Sequence, residues 1–186
     1  MSKEFDVIVV GGGHAGVEAS YIAAKTGCNC LLLTMNMDEI GKMPCNPAIG
    51  GIGKGHIVRE IDALGGVMGK IIDRTGIHFK MLNKSKGIAV WGNRAQADKE
   101  KYRFSARITL EERDNISILQ GFVIKILCKG GKIYGITLDS GEKIYSKAVI
   151  LANGTFLNGI RHIGLNSYPA GRIGEPDSKF LTENIN

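Results

Sequence analysis

The sequence predicts an α/β domain built on a parallel sheet, and three stretches carry that prediction. The first is an apolar run at residues 5–10, then Gly11-Gly12-Gly13-His14-Ala15-Gly16, then an alanine-rich run at 17–25. The second is Cys-Asn-Cys-Leu-Leu-Leu-Thr at residues 28–34, directly after Gly27. The third is a stretch of period-two alternation over 116–146, broken by glycine turns and followed by the wholly apolar 148–152. Near-continuous apolar strands suit a parallel sheet covered on both faces. Alternating strands joined by glycine turns suit an antiparallel meander. Together these make a Rossmann-like layout, a parallel sheet with a crossover β-meander.

The opening stretch reads as strand, G-x-G-x-x-G, helix, and each glycine has its own reason. Gly11 makes the tight turn. Gly13 lets the main chain approach a diphosphate with no Cβ in the way. Gly16 lets the helix pack closely on the strand. Free N–H groups at the helix start, at the positive end of its dipole, then hold the anion. Gly11, Gly12, Gly13, His14, Ala15 and Gly16 are therefore the candidate dinucleotide contacts. A βα turn without a ligand is the competing reading, and the flanking strand and helix weigh against it.

The second strand ends at Thr34, where a carboxylate for a ribose hydroxyl is expected. Asp38 and Glu39 come slightly later. The ribose contact then falls to Thr34, to a main-chain group or to a carboxylate from the loop. Residues 35–56 hold five glycines and two prolines, which exclude a long helix. So long a loop is either functional, with Lys54 as a fixed positive charge, or plain surface. Residues 57–66 read as a short amphipathic helix with Ile57, Ile61 and Leu64 on one side. Residues 77–82 read as a strand, and 95–113 as a helix that covers the sheet through Tyr102, Ala106 and Leu110.

Strands at 116–119, 122–128, 132–138 and 142–146 form the expected meander, and 148–152 returns to the sheet. A plain NAD-binding half returns through helices, so a meander at this place favours FAD. The main chain around Val123 is expected beside the adenine. Gly154 and Thr155 are expected beside the diphosphate or the flavin. Beyond Thr155 the chain reads as irregular until a helical start at Asp177-Ser178. No later strand closes the sheet and no second glycine fingerprint follows. Residues 1–186 therefore read as the N-terminal part of an incomplete FAD-binding domain.

Of the 186 residues, 44% are hydrophobic, and no apolar run approaches ~20 residues, so no membrane span is expected. The chain enters its first strand with no room for a signal peptide, which points to the cytoplasm. Four cysteines show neither C-x-x-C nor zinc spacing, so no metal is expected, and Cys28, Cys30 and Cys128 read as apolar packing. The net charge of +6 is uneven: residues 54–107 carry 12 lysines and arginines against 5 acids. Such a segment meets a polyanion or forms a solvated face.

Four motifs extend the reading. They are Gly11 to Gly16, the run from Cys45-Asn46-Pro47 through Gly53-Lys54-Gly55-His56, Glu60-Ile61-Asp62-Ala63-Leu64-Gly65-Gly66, and Arg94-Ala95-Gln96-Ala97-Asp98. With Gly154-Thr155-Phe156-Leu157 and His162-Ile163-Gly164, the chain resembles the MnmG (GidA) tRNA-modification flavoproteins along essentially its whole length. The resemblance implies FAD as cofactor, NADH as reductant, a MnmE-type GTPase as partner and a homodimer. It implies addition of an aminomethyl or carboxymethylaminomethyl group at C5 of the wobble uridine of tRNA. By position it implies that Gly11 to Gly16, Val123 and Ser178 touch FAD. Cys45 matches the family's loop cysteine, either attacking C6 of the uracil as thiolate or only shaping the loop. Lys54, Arg94 and Lys99 are candidates for tRNA phosphates. Pro44, Ile88 and Trp91-Gly92 depart from the family's pattern. Its second cysteine, nicotinamide-binding insertion and helical C-terminal domain would lie beyond residue 186. The competing readings are a catalytically inactive FAD-binding module and a different flavin-dependent oxidoreductase.

Overall fold

Strand β1 (Glu4–Val10) leads through the glycine turn into helix α1 (His14–Lys25), and strand β2 (Cys30–Thr34) pairs with β1 in parallel from Val7↔Cys30 to Val10↔Leu33. This computed structural model describes residues 4–185, so the start of the chain, on which the leader reading rests, lies outside the described residues. β2 is buried along its whole length, as a strand covered on both faces must be. The next elements are β3 (Ala48–Gly50), α2 (Lys54–Ala63), α3 (Met68–Thr75), β4 (Gly76–Leu82), β5 (Gly92–Ala97) and α4 (Lys99–Glu111). After them come β6 (Ile116–Gln120), β7 (Val123–Lys129), β8 (Lys132–Leu138) and β9 (Lys143–Leu151). A hairpin of β10 (Ile160–Ile163) and β11 (Asn166–Pro169) and the helix α5 (Lys179–Ile185) complete the described chain.

The main sheet has the order β6-β2-β1-β9-β8-β7. Its first four strands are parallel and its last three antiparallel, with β9 belonging to both sets. Two cores lie on its faces. Val9, Leu32, Val17, Tyr21, Tyr102 and Leu110 share one, under α1 and α4. Phe5, Ile8, Val10, Leu33, Ile136 and Leu181 share the other. Ile8 and Val10 thus part from Val9, as the period of two requires. A separate antiparallel sheet, β3-β5-β4, carries α2 and α3. Among the described residues no helix is long and apolar enough to cross a membrane.

Five expectations need correction. The strand at 116–119 is not part of the meander: β6 pairs in parallel with β2, from Cys30↔Ile116 to Thr34↔Gln120. Residues 142–146 and 148–152 are one strand, in which Tyr145 faces Gly135 on one side and Glu4 on the other. The meander therefore has three strands. The helix expected from 95 begins at Lys99, because Ala95 and Ala97 belong to β5 and the Asp98 carboxylate caps the helix, accepting from the N–H groups of Glu100 and Lys101 at 3.1 Å each. Helix α2 starts at Lys54 and buries no residue, with Ile57 57% and Leu64 80% exposed. The region after Thr155, read as irregular, holds the β10–β11 hairpin.

Candidate nucleotide-binding site

Two glycines set the crossing of the first βα turn with the end of β9. Gly11 has φ of +112°, and a Cβ there would run into the carbonyl of Ala152. A Cβ on Gly16 would fall inside the carbonyl oxygen of Gly11. Gly13 is different. It is the N-cap of α1, with φ −71° and ψ −174°, and a Cβ on it would meet nothing within 4 Å. The first intrahelical bond runs from Val17 N–H to the Gly13 carbonyl at 2.9 Å, so the N–H groups before it have no acceptor within the helix. The first turn carries no acid that would compete for them.

These groups open on a cavity of about 430 Å³ at the carboxyl ends of β1, β2 and β9, the usual place for a ligand in an open parallel sheet. Of the expected contacts, Gly11, Gly12, Gly13, His14, Ala15, Thr34, Val123, Gly154 and Ser178 all line it. Gly16 lies beneath the turn. Thr155 does not line the cavity; its hydroxyl donates to the Gly171 carbonyl at 3.0 Å. The Thr34 hydroxyl donates to the Asn36 carbonyl at 3.2 Å. Of the two loop carboxylates, Glu39 reaches the cavity, while Asp38 turns away and accepts from Arg107 at 3.2 Å.

Sequence reasoning missed Arg172 and Glu175, which also line the cavity. The Arg172 guanidinium lies 5.2 Å from the centre of the Phe156 ring and 4.0 Å from the Glu175 carboxylate. Lys42 pairs with both Glu39 and Glu175, the latter at 3.7 Å, so one ionic chain joins the loop after β2 to the segment before α5. Their separation in the chain leaves no local signal to find.

His14 stands edge-on to Tyr102, ring centres 5.6 Å apart. Burial first, then the charges of Lys54 and Arg172, push its pKa down to about 4, so it is neutral at pH 7. The side-chain oxygen of Asn153, also at the cavity wall, is buried with no hydrogen-bond partner among the described residues.

The other predicted residues lie elsewhere. Cys45 is exposed on the loop beside Pro44 and lines neither this cavity nor a second one of about 490 Å³ between α2, α3 and the small sheet. Arg94 lines that second cavity. Lys54 donates to the Ala48 carbonyl at 2.7 Å, and partial burial, then the Arg94 charge, lower its pKa. Lys99 is exposed at the start of α4, outside both cavities.

A family model described as Glucose inhibited division protein A matches residues 6–186. The chain belongs to the GidA family. It is 53% identical over 183 residues to the tRNA uridine 5-carboxymethylaminomethyl modification enzyme MnmG of Thermodesulfovibrio yellowstonii, covering 98% of this chain and 29% of that protein. The crystal structure of Aquifex aeolicus GidA superposes with a TM-score of 0.92 at 51% identity, over 97% of this chain and 30% of that one. A probable FAD-dependent monooxygenase of Pseudomonas aeruginosa shares the fold, with a TM-score of 0.60 at 17% identity over 82% of this chain and 43% of that one. The chain thus spans about 29% of the length of the GidA-family relative from Thermodesulfovibrio yellowstonii.

Proposed function

We propose that this chain is the FAD-binding portion of an NADH-dependent flavoprotein. With a MnmE-type GTPase it would add an aminomethyl or carboxymethylaminomethyl group at C5 of the wobble uridine of tRNA. One observation carries the cofactor reading: the glycine cradle opens on a cavity at the sheet's carboxyl ends, with unsatisfied N–H groups facing it. The residues present fit a dinucleotide. Gly13 leaves open space where the diphosphate would lie, and the unpartnered Asn153 oxygen offers an acceptor at the wall. The turn from Gly11 to Gly16 would hold the diphosphate, and Thr34 or Glu39 a ribose hydroxyl. Val123, Gly154 and Ser178 would line the rest of the ligand. FAD, when bound, supplies two-electron redox chemistry with NADH as the reductant. His14, neutral at pH 7, contributes hydrogen bonding and leaves the positive charge to Lys54 and Arg172.

Cys45 is the proposed nucleophile, and its exposure leaves the thiol open to a substrate base. A thiolate adding to C6 of uracil forms an S–C6 bond and moves the electron pair onto C5. C5 then attacks the carbon of a one-carbon iminium donor, whose π pair moves to nitrogen; loss of the C5 proton and cleavage of S–C6 restore the double bond and release the thiolate. Arg94 and Lys99, both exposed, are proposed phosphate contacts. Lys54 is the weaker candidate, since its amine already serves the Ala48 carbonyl. A homodimer and a cytoplasmic setting belong to the same proposal.

Flavin titration tests the reading. The chain is expected to bind FAD, and Gly13→Val to lose binding by about a hundredfold while keeping its fold by circular dichroism, because a Cβ there meets no protein atom within 4 Å. Undiminished binding in the variant would refute the cradle. A second reading follows from the span of about 29% of the Thermodesulfovibrio yellowstonii relative: the chain alone holds flavin without modifying tRNA. Modified tRNA produced by this chain with NADH and partner would exclude it.

A further inference from the structure

The second cavity, of about 490 Å³, has a makeup unlike the first and lies within the ordinary size range of ligand sites. Its floor is main chain: Gly50 has φ of +101° and a Cβ there would strike the Asn93 carbonyl, while Gly92 lies against Gly51. Two exposed aromatic rings flank it, Phe79 of β4 at 57% and Trp91 before β5 at 40%. Trp91 is held in place, its indole N–H donating to the Lys86 carbonyl at 3.0 Å. Three cations line the same space, Arg59, Lys80 and Arg94, and among the described residues none of them forms an ion pair. All three come from the basic segment of 54–107 that the charge count singled out.

Free cations beside exposed aromatic faces over a bare backbone floor are the makeup of a single-strand stacking platform. We propose that this groove takes an unpaired RNA nucleotide, its base stacked on Phe79 or Trp91 and its phosphates held by Arg59, Lys80 and Arg94. The proposal rests on the tRNA reading above and gives that substrate a seat separate from the glycine cradle. Two carboxylates, Asp62 and Asp73, also line the groove. They repel phosphate and accept from base N–H groups, so they orient the base edge toward α2 and α3. The aromatic faces argue against an acidic peptide, for which cations alone would serve.

Trp91 is the chain's one tryptophan, so its fluorescence reports this groove directly. The 186-residue chain is titrated, with and without FAD, with a single-stranded RNA of about seven nucleotides, the size of an anticodon loop. Saturable quenching that weakens with salt is expected. Phe79→Ala is expected to raise Kd about tenfold, through loss of one stacked base. Arg94→Ala is expected to lower the slope of log Kd against log salt by about 0.7, one phosphate contact on a single strand. Both side chains are exposed, and circular dichroism confirms that the variants fold. No quenching, equal quenching by polyglutamate, or unchanged affinity in both variants overturns the proposal. Whole tRNA still bound equally by the parent and both variants would remove the groove and leave the tRNA reading standing. Loss of flavin binding with RNA quenching intact would remove the cofactor reading alone.

Discussion

In the main sheet Ile8, Val9, Leu32 and Ile136 are fully enclosed, whereas around the small sheet Ile57, Phe79 and Leu64 stand 57%, 57% and 80% exposed. Both sets have regular apolar spacing. β1 and β2 have a covering layer on each face, while α2 packs chiefly on α3 and the small sheet and buries none of its residues. Spacing marks a face; burial also needs a partner that the chain brings to it. The glycines do not divide between the two sheets. Gly11 and Gly16 are wedged against backbone, and Gly50 of the small sheet is wedged against the Asn93 carbonyl as well, while Gly53 has open space around it and serves the turn into α2.

The largest expected effect is Gly16→Val. Its side chain would have to displace the Gly11 carbonyl in the turn that ends β1, so a loss of about 3 kcal/mol or more is expected, read as a lowered urea midpoint or as no folded chain at all. Next is Leu110→Ala in the core under α4, where about 2–5 kcal/mol should be lost in chemical denaturation. A smaller effect comes from His14. Its folded pKa is depressed, so the unfolded chain takes up a proton first, and the stabilisation present above pH 6.5 is lost as pH falls toward about 4. At about pH 5 this amounts to roughly 2 kcal/mol relative to neutral pH. Urea unfolding at the two pH values measures it, and His14→Gln should flatten the difference. The smallest is Leu64→Ala, with a change within about 0.5 kcal/mol. A cost near that of Leu110→Ala would show that α2 is covered in solution, and the contrast between the two sheets would fall.

Where a local pattern builds the fold, it is legible. The strand, Gly11, Gly16 and the helix lie within about twenty residues, and both glycines answer to a steric demand of the turn. Tyr102, Ala106 and Leu110 also face the core as their spacing implied. The reading failed where partners are distant. An alternating strand looks the same whether its neighbour is parallel or antiparallel, so β6 was joined to the meander. Ser146 and Lys147 interrupt β9 with polar residues, hiding that one strand runs through. Ala95 and Ala97 suggested helix, although Asp98 was a legible cap. Arg172 and Glu175 reach the cavity only through the fold, and nothing beside them in the chain marks them. Cys45 is proposed only through the family's loop motif, and its position on an exposed loop has no periodicity to mark it.

Strand β9 takes its neighbours in turn: β8 pairs with Lys143 to Tyr145 and β1 with Tyr145 to Leu151, so Tyr145 alone is bridged on both sides. Opening the end that pairs with β8 therefore leaves the β1 pairing closed. In an exchange experiment the β9 amides bonded to β1 should keep their protons after those bonded to β8 have exchanged, so the two ends of one strand time two separate openings.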